Sequence, residues 1–167
     1  MTHASQRIVV GMDGSPGGRA AVTFALRDAD RRGAALEVVT AFDTAETLTA
    51  LCGSSTTSIS GSTDDIRESV LKETTRLVED ACAEVATEPN TYLPAVTVTA
   101  VGGSAAAVLL QTSRGADLLV VGSRGRGGFA SMVLGSVGLQ CVLHATCPVT
   151  VVPAPASPAR PGSADAT

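Results

Sequence analysis

An apolar run at residues 118–121, LLVV, stops at Gly122 and opens a loop with glycines at 122, 125, 127 and 128; Gly135 and Ser136 then begin a helical pattern. This succession constrains the fold more than any other stretch. Glycine lets a backbone take positive φ and come close to a ligand. A helix start offers unpaired N–H groups and the positive end of a dipole. A strand that runs through such a loop into a helix builds an anion site, and we read it as a holder of nucleotide phosphates.

The remaining chain repeats the strand-to-helix pattern. Residues 7–11 (RIVVG) form a short buried strand stopped by glycine. Ser15 followed by Pro16 marks a helix start. Val22, Ala25, Leu26 and Ala29 then share one helical face, and Gly33 ends the helix. Residues 36–42 (LEVVTAF) make a second strand, which closes a βαβ unit with parallel pairing. Residues 53–63 (GSSTTSISGST) show no periodicity, and 43–63 is expected to be a flexible loop. From Asp64 a helix resumes with Ile66, Val70, Leu77, Ala81 and Val85 on its face, stopped by Glu88, Pro89 and Asn90. Residues 96–101 form a third strand, Ser104 caps a helix ending near Gly115, and 118–121 is the fourth strand. A helix from Ser136 to His144 and a fifth strand at 148–152 follow. Residues 154–167 are expected to be a disordered tail. The expectation is one α/β domain, residues 1–153: a doubly wound sandwich with a five-stranded, mainly parallel sheet and four helices. The loops at 11–18 and 122–136 both follow carboxyl ends of strands, where such sheets bind ligands.

Composition excludes several classes. The chain has 167 residues, aromatics are 2% and the net charge is −4. So few aromatic platforms and an acidic balance argue against nucleic acid as a partner. No apolar run is long enough to span a membrane, and the polar start MTHASQR is not a signal peptide, so the expected location is the cytoplasm. The four cysteines match no zinc or redox spacing and read as reduced thiols; no metal site is expected.

Between residues 118 and 164 there is no Asp or Glu, but there are Arg124, Arg126, Arg160 and His144. That local charge suits an anion. Leu134-Gly135-Ser136 lacks the lysine of a P-loop, which argues against an efficient phosphoryl-transfer engine. The run 125–130 fits G-x-G-x-x-A, but it lies late in the chain and no acid stands about 20 residues on, so a dinucleotide fold is set aside. Asp13, after the first strand, can accept hydrogen bonds from ribose hydroxyls or serve as a turn residue. His144 fits a helix C-terminus, and no partner is spaced to make it catalytic. Ser136 can direct its hydroxyl to a phosphate or act as an N-cap.

Taken together, the opening IVVGMDGSPGGRAA, the spacing Gly122-x2-Gly125-x9-Gly135-Ser136 and the closing HATCPVTVVP resemble the nucleotide-binding universal stress proteins, over residues 6–153. The resemblance implies the adenine-nucleotide alpha hydrolase-like form of the fold and ATP as ligand, with or without Mg2+. It implies that Asp13 binds the adenine or ribose side and that Ala41 contacts adenine through its backbone. Gly122 and Gly125 would cradle phosphates, and Gly135, Ser136 and Val137 would bind phosphate or ribose. It also implies a homodimer formed through the final strand, and a regulatory protein partner in a stress response. The chain departs from the family at Ala105, where proline is common, and in its Ser/Thr-rich 53–63 loop. The leading expectation is a nucleotide-dependent sensor or regulator with no catalytic residue. The rivals are a weak ATPase or autokinase, a dimerisation module with an empty loop, and a binder of another adenine nucleotide such as cyclic AMP.

Overall fold

The computed structural model describes residues 6–44, 62–125 and 134–155. The elements are β1 (Arg7–Gly11), α1 (Pro16–Arg32), β2 (Ala35–Phe42), α2 (Thr63–Ala86), β3 (Val96–Gly102), α3 (Ala105–Thr112), β4 (Leu118–Gly122), α4 (Ser136–His144) and β5 (Val149–Val152). The five strands form one sheet in the order β3-β2-β1-β4-β5. Every described pairing is parallel, so the sheet is more uniform than the mainly parallel one expected.

Local signals explain the helix boundaries. Ser15 Oγ accepts from Gly18 N at 3.0 Å and Pro16 opens α1. Gly33 closes it at φ 63, a left-handed conformation that glycine adopts without cost. Ser62 and Asp65 form a reciprocal capping box at the start of α2, which therefore begins at Thr63, inside the stretch expected to be a loop. Residues 45–61 of that stretch lie outside the described residues. Ser104 caps α3 through Ala107 N. At the far end of α2, Arg27 of α1 donates to both oxygens of Glu88, and these hydrogen bonds hold the Glu88 carboxyl below its usual range.

Two apolar layers cover the sheet. On one face α1 and α2 pack over Ile8, Val10, Leu36, Val38 and Val120. The expected α1 face, Val22, Ala25, Leu26 and Ala29, is fully buried there. In α2 only Leu77, Ala81 and Val85 of the expected face are buried; Ile66 and Val70 are half-exposed, and Thr74 and Val78 complete the contact. Thr74 Oγ1 meets Thr40 Oγ1 at 3.0 Å, and Thr40 Oγ1 donates to the Met12 carbonyl at 2.9 Å. This buried polar bridge fixes the chain where it leaves β1. On the other face α3 and α4 cover Val9, Val39, Leu119 and Val121. Burial of one such Val or Leu side chain contributes about 1.5–3 kcal/mol. In α4, Cys141 is buried and its thiol is pushed up to about 11, mainly by desolvation, in keeping with an inert packing role. Beyond β5, Ala154 N donates to Ser123 Oγ at 3.1 Å, so the first residue of the expected tail is tied to the domain; residues 156–167 lie outside the described residues.

Candidate functional site

Pairing between β1 and β4 stops at Val10↔Val120. Beyond that point β1 turns into α1 on one face of the sheet, and the chain after β4 reaches α4 on the other. The two exits diverge and leave a crevice at the carboxyl edge, as strand-order reversal requires. The crevice is a cleft of about 410 Å³. All seven expected residues line it: Asp13, Ala41, Gly122, Gly125, Gly135, Ser136 and Val137.

Close glycine contacts hold the two exits together. A Cβ on Gly122 would stand 2.7 Å from both the carbonyl carbon and oxygen of Gly17, and one on Gly17 would collide with the Arg124 carbonyl. Gly122 is thus a packing position against the first turn of α1 as well as part of the cleft. A Cβ on Gly125 would lie 2.6 Å from Asp13 Oδ2. The 11–18 and 122–125 turns therefore meet over one site.

The start of α4 is different from the other helix starts. Each of α1, α2 and α3 is capped by a serine hydroxyl. The N-cap of α4 is Gly135, with no side-chain cap bond, and Ser136 is the first helical residue. The reading of Ser136 as the cap is corrected: Gly135 has the extended φ −73, ψ 163 of a cap. Gly135 N is committed to Ser123 O at 2.7 Å, whereas the amides that follow belong to the open first turn. An uncapped first turn that faces a cleft can take an anion.

The β2 side of the cleft is apolar, with Val39 and Leu109 in its wall. Ala41 sits there, and the sheet's hydrogen bonding explains its value. Odd residues of β2 face β1, as in Ala35 N to Gln6 O and Val39 O accepting from Met12 N; even residues face β3, as in Leu36 N to Ala95 O. Since β1 pairing ends at Gly11↔Val39, the N–H and C=O of Ala41 turn toward the space that β1 has left. A donor and an acceptor two atoms apart can read the edge of a planar base.

Arg124 also lines the cleft, as do Met12, Gly18, Ala105, Leu109 and Gly138, none of which was singled out as a site residue from sequence. For Arg124 the signal was available, since it fills the x2 of the glycine spacing. The contributions of Leu109 and Ala105 depend on α3 crossing to the far face, which spacing does not encode. His144 does not line the cleft. Among the described residues no group of three or more His, Cys, Asp or Glu could hold a metal.

Comparison with known proteins places this geometry in context. The model of the universal stress protein family matches residues 4–153. Universal stress protein Rv1996 of Mycobacterium tuberculosis is 34% identical over 160 residues, covering 92% of this chain and 50% of that protein. Universal stress protein YxiE of Bacillus subtilis is 40% identical over 90 residues, 53% of this chain and 59% of that one. The chain spans about half the length of the mycobacterial relatives it matches. Among solved structures, UspA from Lactobacillus plantarum superposes with a TM-score of 0.63 at 22% identity, over 90% of this chain and 99% of that one. A universal stress protein from Archaeoglobus fulgidus in complex with dAMP gives 0.59 at 16%, over 90% and 99%. These likenesses show the same fold. On the family match and the mycobacterial identity, the chain belongs to the universal stress protein family.

Proposed function

We propose that this protein binds ATP in the cleft between β1 and β4 and acts as a nucleotide-dependent regulator in a stress response. The observation that carries the reading is the cleft's polarity: an apolar end with the open backbone of Ala41, and a far end with the uncapped turn of α4. Adenine suits the first, since N6 donates where a carbonyl accepts and N1 accepts where an N–H donates. Phosphates suit the second, beside Gly125, Gly135, Ser136 and Val137 and near Arg124. Asp13 lies between them and can accept from ribose hydroxyls at about 1.5–3 kcal/mol for a charged hydrogen bond. A Cβ on Gly125 would lie 2.6 Å from Asp13 Oδ2, so the glycine turn and the carboxylate stand side by side in the lining. A solved relative is described in complex with cAMP and another with dAMP, which supports an adenine ligand.

Among the described residues Asp13 is the one carboxylate in the lining, so an accompanying Mg2+ would be held chiefly by the phosphates. One carboxylate and no lysine among the described lining residues favour binding over turnover. Bound nucleotide changes the surface offered at the mouth of the cleft to a protein partner. No described helix is long and apolar enough to cross a membrane, and we place the protein in the cytoplasm.

The test is to denature the purified protein and identify the released small molecule by mass spectrometry. ATP supports the reading, and ADP or AMP points to slow hydrolysis. No adenine nucleotide, together with no binding of added ATP by calorimetry, overturns it. The backbone of Ala41 also sets a preference: guanine reverses the donor and acceptor pattern, so GTP should bind at least about tenfold more weakly than ATP. Equal affinities would remove Ala41 from the base site.

We further infer a homodimer through β5. Among the described residues this strand is an edge, paired only with β4, and open edges need cover. Leu139, Val142 and Leu143 form an exposed apolar stripe on the neighbouring α4, with Leu143 62% exposed. Leu143→Asp should shift the mass from dimer to monomer in light scattering with an unchanged circular dichroism spectrum. A wild type that is monomeric at working concentration would sink this assignment.

A further inference from the structure

The carboxylate of Asp13 is held from α1, and the residue that holds it does more than its local role requires. Ser15 donates to Asp13 Oδ1 twice, through its backbone N–H at 3.0 Å and its hydroxyl at 2.5 Å. The same hydroxyl oxygen accepts from Gly18 N at 3.0 Å, and the Arg124 carbonyl lies 3.5 Å away. An N-cap needs only the bond to Gly18; Ser104, which caps α3, shows that simpler arrangement. Ser15 is 7% exposed, so water competes little for its bonds.

Two glycines complete the grip. A Cβ on Gly18 would stand 2.6 Å from Asp13 Oδ1, and one on Gly125 would stand 2.6 Å from Oδ2. The carboxylate is thereby set in one orientation, with Oδ1 on the helix start and Oδ2 toward the glycine turn of the cleft. Each carboxylate oxygen can accept more than one hydrogen bond, so a carboxylate oriented through Oδ1 can also take a hydroxyl from a ligand.

We propose that Ser15 is a positioning residue for nucleotide binding: its hydroxyl aims the Asp13 carboxylate at the ligand's ribose hydroxyls. This rests on the adenine-nucleotide reading and names the residue that tunes ribose recognition. Ser15 acts through Asp13 and touches no ligand itself.

The experiment is a double-mutant cycle on the full chain with Ser15→Gly and Asp13→Ala, read by calorimetry with ATP and 2′,3′-dideoxy-ATP. Glycine is tolerated at an N-cap nearly as well as serine, so α1 should persist, checked by circular dichroism. The wild type should prefer ATP over the dideoxy analogue by about tenfold. Ser15→Gly should lower ATP affinity by about tenfold and remove most of that preference. In the Asp13→Ala background, Ser15→Gly should change affinity by less than about twofold, because the two residues act as one unit. An ATP preference retained in Ser15→Gly, or losses that add in full in the double variant, would overturn the proposal. If the wild type binds neither nucleotide, the adenine-nucleotide reading fails first, and this inference with it.

Discussion

Gly135→Val should abolish the proposed ATP binding and leave the melting temperature near that of the wild type. Gly135 has φ −73 and ψ 163, a conformation that β-branched residues adopt readily. A Cβ there would meet Ser123 O at 3.6 Å and Arg124 Cα at 3.8 Å, ordinary van der Waals distances. The fold therefore does not require glycine at this position. The cleft does: the two methyl groups of valine extend from its lining, beside the first amides of α4, where the phosphates are proposed to sit. Loss of the phosphate contacts should weaken ATP by at least about a hundredfold, or some 2.8 kcal/mol. Calorimetry with ATP and a thermal melt, done together, check both halves. Wild-type affinity in Gly135→Val would mean that the glycine loop does not hold phosphate.

Gly122→Ala should show the reverse: a damaged fold, with binding weakened only as a consequence. The added methyl would stand 2.7 Å from the carbonyl carbon and oxygen of Gly17 and 3.1 Å from Gly18 N. These are backbone atoms in the first turn of α1, and no rotamer change moves them. Either β4 or α1 must shift, at a cost of about 2 kcal/mol. For a chain of this size that is a fall in Tm of roughly 4–8 °C. Urea and thermal denaturation measure it, and an unchanged midpoint would mean that α1 and the β4 exit do not meet as closely as described. The two glycines belong to one spacing motif, yet a Cβ on one meets only ordinary van der Waals contacts and on the other strikes the backbone of α1.

That difference marks the limit of sequence reading here. Ser15 with Pro16 and Gly33 announced α1 correctly, because caps act within a few residues. The face of α2 was legible only in part. Ile66 and Val70 keep the helical period, but the helix begins beyond the edge of the core, and period alone says nothing of where a neighbour ends. The start of α4 was located correctly, while of the two roles open to Ser136 the N-cap belongs to Gly135 instead.

Ala41 was marked for the site by family resemblance alone. What the sheet adds is the direction of its backbone, since only strand pairing reveals which N–H and C=O groups β1 leaves exposed. By itself the sequence determined the alternation of strands and helices, the glycine spacing from 122 to 135 and the acid at 13 just after the first strand, all properties of short windows. The tertiary structure decided that Gly17 lies on Gly122, that Ser15 grips Asp13 beside Gly125, and that α4 alone among the described helices opens uncapped into the cleft. Contacts between residues a hundred positions apart depend on how the sheet orders its strands, and no local period or propensity carries that order.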